Sequence, residues 1–292
     1  MYKKYLLVAF IFLGISTFAV AQEANNKFVL NNTQLVPIKS KITGRNHELV
    51  VVFPSSYASN PSKKYPVLYY LDAYWDTPLL VSTYGNLVYD NVVPEFIMVG
   101  LSYPSGANYD LERRTDYTFT SEDGSSGGKG GLFLDFIKKE VAPLIETKFR
   151  GDKTDRVLSG NSLGGLFTIQ AAYEAPDFFA GFIAISPAVV WSNNALTKFD
   201  ERYAKKHKSL NGRMFISYGS TEYAGFREPI IQFQKQLAAR QYQGFSLLNY
   251  SMEGLDHTTV KGDGYVRGLM WVFQPKRPTG PSGLERAMTG AK

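Results

Sequence analysis

Short apolar runs recur along the chain, and most are followed by a stretch whose apolar positions repeat every three to four residues. Val67-Leu68-Tyr69-Tyr70-Leu71, Phe96-Ile97-Met98-Val99, Val157-Leu158, Phe182-Ile183-Ala184-Ile185 and Met214-Phe215-Ile216 have the character of buried parallel strands. Such strands need no polar alternation, because both of their faces are covered. Residues 33–42 and 48–53 predict a hairpin turning at Thr43-Gly44-Arg45-Asn46, and 245–252 predicts a last strand. Helical spacing appears over 75–90, with Leu79, Leu80 and Leu87 inward, and again over 132–145, with Phe133, Phe136, Ile137, Val141 and Ile145 on one face. Pro143 is expected to kink that second helix. Further helices are expected from 163 to Pro176, in part of 195–208, and over 229–240 and 265–273. Strands alternating with helices imply an α/β fold with a mostly parallel central sheet and helices on both faces. No internal repeat is visible.

The polar stretches define the rest of the chain. Residues 102–131 read as a long loop carrying Arg113-Arg114, Asp116, Tyr117 and a run of Gly and Ser, and loops of that length are usually functional or mobile. Residues 22–32 and the Pro-, Gly- and Lys-rich tail 275–292 are expected to be disordered. At the start, Lys3 and Lys4 precede an apolar run over 6–15 and a small-residue site, Ala19-Val20-Ala21. This is the pattern of a signal peptide over 1–21, cut before Gln22. The run is short for a membrane span, so no stable anchor is expected and the address is periplasmic or secreted. The 292-residue chain has no cysteine, which excludes disulfides, thiolate zinc sites, a thiol nucleophile and a lipoprotein anchor. The roughly 270 residues left suit one α/β domain or two small ones, and the strand–helix alternation places one domain at 33–274. The net charge of +6, or +4 without Lys3 and Lys4, is dispersed. It suggests mild attraction of an anionic substrate and no nucleic-acid partner. Oligomeric state stays open.

Within the strand–helix pattern, Gly160-Asn161-Ser162-Leu163-Gly164 fits G-x-S-x-G, with an apolar strand before it and a helix after it. In that motif the serine sits on a strained strand-to-helix turn and acts as a nucleophile. A serine hydroxyl needs a base, and imidazole titrates in the right range. Of three histidines, His47 lies by the hairpin turn and reads as a surface residue, while His207 sits in a cationic segment, Lys205-Lys206-His207-Lys208. His257 follows a strand and comes after Ser162, so it is the expected base. Its orienting acid should lie between the two in sequence. Glu222, at the end of a predicted strand, is the best placed, ahead of Asp256, Glu253 and Asp200. Oxyanion donors are expected from the N–H of Leu163 and, after the strand ending at Leu71, from the N–H of Tyr74. No metal constellation, phosphate-binding loop or dinucleotide fingerprint appears, so no cofactor is expected.

These residues resemble the putative-esterase branch of the α/β-hydrolases, a group that includes siderophore esterases of the enterochelin type, feruloyl esterases, S-formylglutathione hydrolases and mycolyltransferases. The resemblance rests on 133–136, 143–146, Arg156, 160–167, Ser186-Pro187 with Trp191, and 219–222, and is nearest to siderophore-esterase-like hydrolases. It covers about residues 35 to 273. It implies the α/β-hydrolase fold, Ser162 as nucleophile, His257 as base and Glu222 as acid, although some siderophore esterases of this type work without the acid. Leu71-Asp72-Ala73 resembles the family's Leu-Asp-Gly, with alanine in the glycine's place. Arg113, Arg114 and Tyr117 resemble a loop bordering the active site, and Trp75, Trp191 and Tyr223 are candidates to line an acyl or aryl pocket. The expected activity is hydrolysis of a small-molecule carboxylic ester. A carbohydrate acetyl or feruloyl esterase, an acyltransferase, and a silent binding protein on the same scaffold remain open.

Overall fold

A computed structural model describes residues 29–30, 32–121 and 126–291. The expected signal peptide lies outside the described residues, as does most of the expected disordered segment after it. Residues from Asn32 onward form one compact unit. Among the described residues no helix is long and apolar enough to cross a membrane.

Eight strands make one sheet: β1 (Thr33–Lys39), β2 (Asn46–Val52), β3 (Tyr65–Tyr70), β4 (Ile97–Ser102), β5 (Gly151–Asn161), β6 (Gly181–Ile185), β7 (Ser209–Gly219) and β8 (Gln243–Met252). Their spatial order is β1-β2-β4-β3-β5-β6-β7-β8. β1 and β2 pair antiparallel with their neighbours, and every pairing from β4 to β8 is parallel. The hairpin turn closes one residue after β1, where Ser40 Oγ accepts from the N–H groups of Ile42 and Thr43. That local acceptor ends the strand three residues earlier than apolar pattern alone predicts.

Helices cover both faces. α1 (Ala73–Tyr89) and α8 (Val260–Phe273) pack on one side through Leu80, Tyr84, Tyr265 and Leu269. On the other lie α3 (Gly130–Phe136), α4 (Ala142–Lys148), α5 (Leu163–Glu174), α6 (Trp191–Lys206) and α7 (Ala224–Arg240), burying Phe133, Phe136, Phe167, Ile169, Ile230 and Phe233. Between α3 and α4 the chain makes a π-helical turn over Ile137–Val141. Pro143 lacks an N–H, and its ring would crowd the carbonyl four residues back. The widened turn just upstream accommodates it, and the helix runs on through the proline.

Three stretches differ from their sequence reading. The expected loop 102–131 contains a helix, α2 (Tyr109–Tyr117), capped by the Asn108 side chain accepting from Leu111 N–H at 3.1 Å. The tail expected to be disordered holds a 3₁₀ turn (Gln274–Lys276) and α9 (Gly283–Thr289). Ser282 and Glu285 form a reciprocal capping box there, and Gly283 packs on the Tyr89 ring. His47, expected at the surface, is buried in β2 and stacks on Phe136 at 4.4 Å. Burial first, then the neighbouring Arg45 charge, lowers its pKa to about 4.

Candidate active site

β3, β5, β6 and β7 are parallel neighbours, so their carboxyl ends lie along one edge of the sheet. Loops beyond those ends are where open α/β sheets carry their ligand sites. Ser162 follows β5 as the N-cap of α5, with φ 58° and ψ −119°. A non-glycine residue held there carries strain of about 1–3 kcal/mol. The surroundings hold it in place. Ser162 N–H donates to Ile185 O at 3.0 Å, and Ser162 O accepts from Leu166 and Ala188 N–H, each at 2.9 Å. Gly160 is required for the tight turn, because a Cβ at that position would sit 2.5 Å from the Gly164 carbonyl carbon.

Glu222 lies three residues beyond β7 and is almost fully buried. Its Oε1 accepts from Gly219 N–H at 2.7 Å, and its Oε2 accepts from Ser186 Oγ at 2.7 Å and pairs with His257 Nδ1 at 3.1 Å. Burial alone would raise the carboxyl pKa. The bonds from His257, Ser186 and Gly219, with the charge of His257, outweigh burial and lower it. His257 sits between β8 and α8, half-exposed, with its backbone N–H on Asp256 Oδ1 at 2.7 Å and the Phe226 ring nearly perpendicular to the imidazole, centroids 4.6 Å apart. Gly219 lets the two loops meet, since a Cβ there would collide with Leu255 O. Ser186, which entered the sequence analysis through the family resemblance and with no role assigned, is fully buried within reach of both Glu222 and His257. Its signal is tertiary: serines after strands are common, and only the sheet brings this one to the pair.

Leu163 is the first residue of α5, and Tyr74 the second of α1. N–H groups in a first helical turn have no intrahelical acceptor, so both are free to bind an anion. The two helix starts adjoin: a Cβ on Gly164 would meet Leu71 Cδ1 at 3.3 Å and Asp72 Oδ2 at 3.8 Å. Asp72 takes the left-handed conformation, φ 54°, before α1. Arg113 holds it with two bonds, Nε to Oδ1 at 3.0 Å and Nη2 to Oδ2 at 2.8 Å. Tyr117 is fully buried, and its hydroxyl accepts from Asp72 N–H at 3.2 Å. Tyr117 therefore does not line a substrate pocket, the role its resemblance to the family's site-bordering loop implied; with Arg113 it braces the turn that carries Tyr74.

Trp75 is half-exposed, with the Arg113 guanidinium 5.8 Å and the Lys261 ammonium 5.4 Å from its ring. Lys261 is paired with Asp76 at 2.7 Å. Tyr223 is 81% exposed directly after Glu222. Trp191 donates from Nε1 to Thr120 O at 3.1 Å, joining the start of α6 to the segment after α2. Among the described residues no group of His, Asp and Glu could hold a metal ion.

The sheet order and the strained serine turn after β5 define an α/β-hydrolase fold. The chain belongs to the esterase family described as "Putative esterase", whose model matches residues 40–257. It is 25% identical over 274 residues to the ferri-bacillibactin esterase BesA of Bacillus subtilis, covering 87% of this chain and 94% of that one. It is 28% identical to the siderophore triacetylfusarinine C esterase of Aspergillus fumigatus, over 61% of this chain and 70% of the relative. The crystal structure of the BES protein from Bacillus cereus superposes with a TM-score of 0.75 at 25% identity, covering 85% of this chain and 98% of that one.

Proposed function

We propose that this chain is a serine ester hydrolase that cleaves the ester bonds of siderophores outside the cytoplasm. The observation that carries the reading is the juxtaposition at the ends of β5, β6 and β7. A serine in a strained strand-to-helix turn shares that edge with a buried carboxylate bonded to a histidine. Ionised Glu222 can only accept, so its bond to His257 requires the proton on Nδ1 and leaves Nε2 with a lone pair. Nε2 takes the Ser162 proton as Oγ attacks the ester carbonyl. The oxyanion is held by the N–H groups of Leu163 and Tyr74. Imidazolium then protonates the leaving alkoxide, the acyl group stays on Oγ, and a water activated by Nε2 releases the acid and regenerates Ser162. The relatives named as siderophore esterases support the substrate class. So do the exposed aromatic rings of Trp75, next to Tyr74, and Tyr223, next to Glu222, surfaces suited to aryl esters. The leader pattern over 1–21 supports export.

The test is chromatographic. The mature protein is incubated with a catecholate trilactone, ferric and iron-free, and in parallel with a feruloyl sugar ester. Stepwise opening of the trilactone, absent in Ser162→Ala, is expected. Cleavage of the feruloyl ester alone would replace the substrate class, and cleavage of none would overturn the reading.

A further inference from the structure

Ser186 is the first residue after β6, and its side chain is fully buried. Its backbone stands at φ 42°, and its N–H donates to Ser217 O at 2.7 Å, which fixes it against the end of β7. Pro187 follows and locks the next φ. The Oγ proton goes to Glu222 Oε2 at 2.7 Å, while the same oxygen lies 2.9 Å from His257 Nδ1. A hydroxyl has one proton to give. With that proton on Glu222, Oγ can meet Nδ1 only as an acceptor. The Nδ1 proton is therefore shared between two oxygens, Glu222 Oε2 at 3.1 Å and Ser186 Oγ at 2.9 Å.

We propose that Ser186 is a positioning residue of the hydrolase: a second acceptor for His257 Nδ1–H that fixes the imidazole tautomer and angle alongside Glu222. This inference rests on the hydrolase reading above. It gives the histidine two anchors from two strand ends, β6 through Ser186 and β7 through Glu222. An orienting group that reaches the imidazole directly keeps part of its effect when the carboxylate is removed. A group that merely steadies the carboxylate does not.

The experiment measures kcat and KM for a short p-nitrophenyl ester with the mature protein, Ser186→Ala, Ser186→Gly, Glu222→Ala and the Ser186→Ala/Glu222→Ala double variant. Ser162→Ala serves as control, and thermal melting checks each fold. Loss of a hydrogen bond to a group that charges in the reaction predicts a fall in kcat of about 10- to 100-fold, with KM nearly unchanged. Glycine tolerates φ 42°, so Ser186→Gly should fall as far as Ser186→Ala if the hydroxyl is what matters. In the Glu222→Ala background, Ser186→Ala should still cost about 10-fold. Full activity in Ser186→Ala, recovery in Ser186→Gly alone, or no further loss in the double variant would each overturn the proposal. A nitrogen NMR spectrum of the imidazole, assigned with His257→Gln, reads the tautomer without catalysis. It should show a protonated Nδ1 in the parent protein, where Glu222 takes the Ser186 proton, and a shifted or partly unprotonated Nδ1 in Ser186→Ala; identical spectra would count against Ser186. Activity surviving in Ser162→Ala would instead sink the serine-hydrolase reading and leave the spectra to judge Ser186 on their own.

Discussion

At the scale of single residues, the proposed site rests on three side chains that each follow a parallel strand. Ser162 and His257 are legible in the sequence because a glycine-framed serine and a histidine after a strand are rare enough to stand out. Glu222 is legible by order and place alone. Its depth is not: almost complete burial and bonds from Gly219, Ser186 and His257 follow from how β7 and the loop after β8 meet. Against the opposing effect of burial, those bonds and the charge of His257 lower the carboxyl pKa from its ordinary value. A carboxyl with a depressed folded pKa stabilises the fold above its unfolded pKa, and that contribution is lost as pH falls through the folded value. Glu222→Gln keeps the shape but offers His257 an amide that can present the wrong partner. Its kcat is expected to fall by about 10²- to 10⁴-fold with KM little changed, as read by steady-state ester hydrolysis. A loss smaller than threefold would remove Glu222 from the machinery.

At the scale of elements, the segment between β4 and α3 shows where sequence pattern stops. α2 is too polar to announce itself as a helix, and its buried residues, Asp116 and Tyr117, sit at its last turn. The structure explains the polarity. Arg113 on α2 reaches the turn before α1 and grips Asp72, whose side chain is 1% exposed, while Tyr117 holds the Asp72 N–H. α2 is thus a brace for the left-handed turn that sets the Tyr74 N–H, and Arg113 and Tyr117 act behind the site rather than on its surface. Removing one partner of a buried ion pair strands the other, at a cost of about 3–5 kcal/mol. Arg113 is partly exposed, so the lower end applies. Arg113→Ala should therefore lower the urea midpoint and reduce kcat, while Asp72→Asn added to it recovers stability without restoring kcat. Additive losses in the double variant would refute the brace.

At the scale of the whole molecule, the alternation of apolar runs and helical spacing was enough to read an α/β sheet with helices on both faces. The β1–β2 hairpin, a local pairing, was readable too, whereas the strand order and the docked tail were not, because they depend on pairings distant in sequence. The tail binds through Asn91, whose Nδ2 donates to Gly280 O at 3.1 Å, and through Arg277, whose Nε donates to Asn91 O at 3.2 Å. His47 was misplaced for the same reason: its neighbour Phe136 lies on a helix across the core. With its pKa lowered to about 4 by burial, His47 is neutral in the fold, and the unfolded chain binds the extra proton between pH 6.5 and 4. Stability is therefore full above pH 6.5 and falls as pH drops through that window, by about 2–3 kcal/mol at pH 4.5. His47→Leu should show a shallower acid slope in urea melts, and parallel slopes would contradict neutral burial. The most direct test of the account as a whole is covalent. The mature protein is treated with a p-nitrophenyl phosphonate, a mimic of the tetrahedral intermediate, and its intact mass is followed by peptide mapping. One adduct on Ser162, absent in Ser162→Ala and strongly slowed in His257→Gln, is the predicted result. No adduct, or an adduct elsewhere with Ser162→Ala still hydrolysing esters, would contradict it.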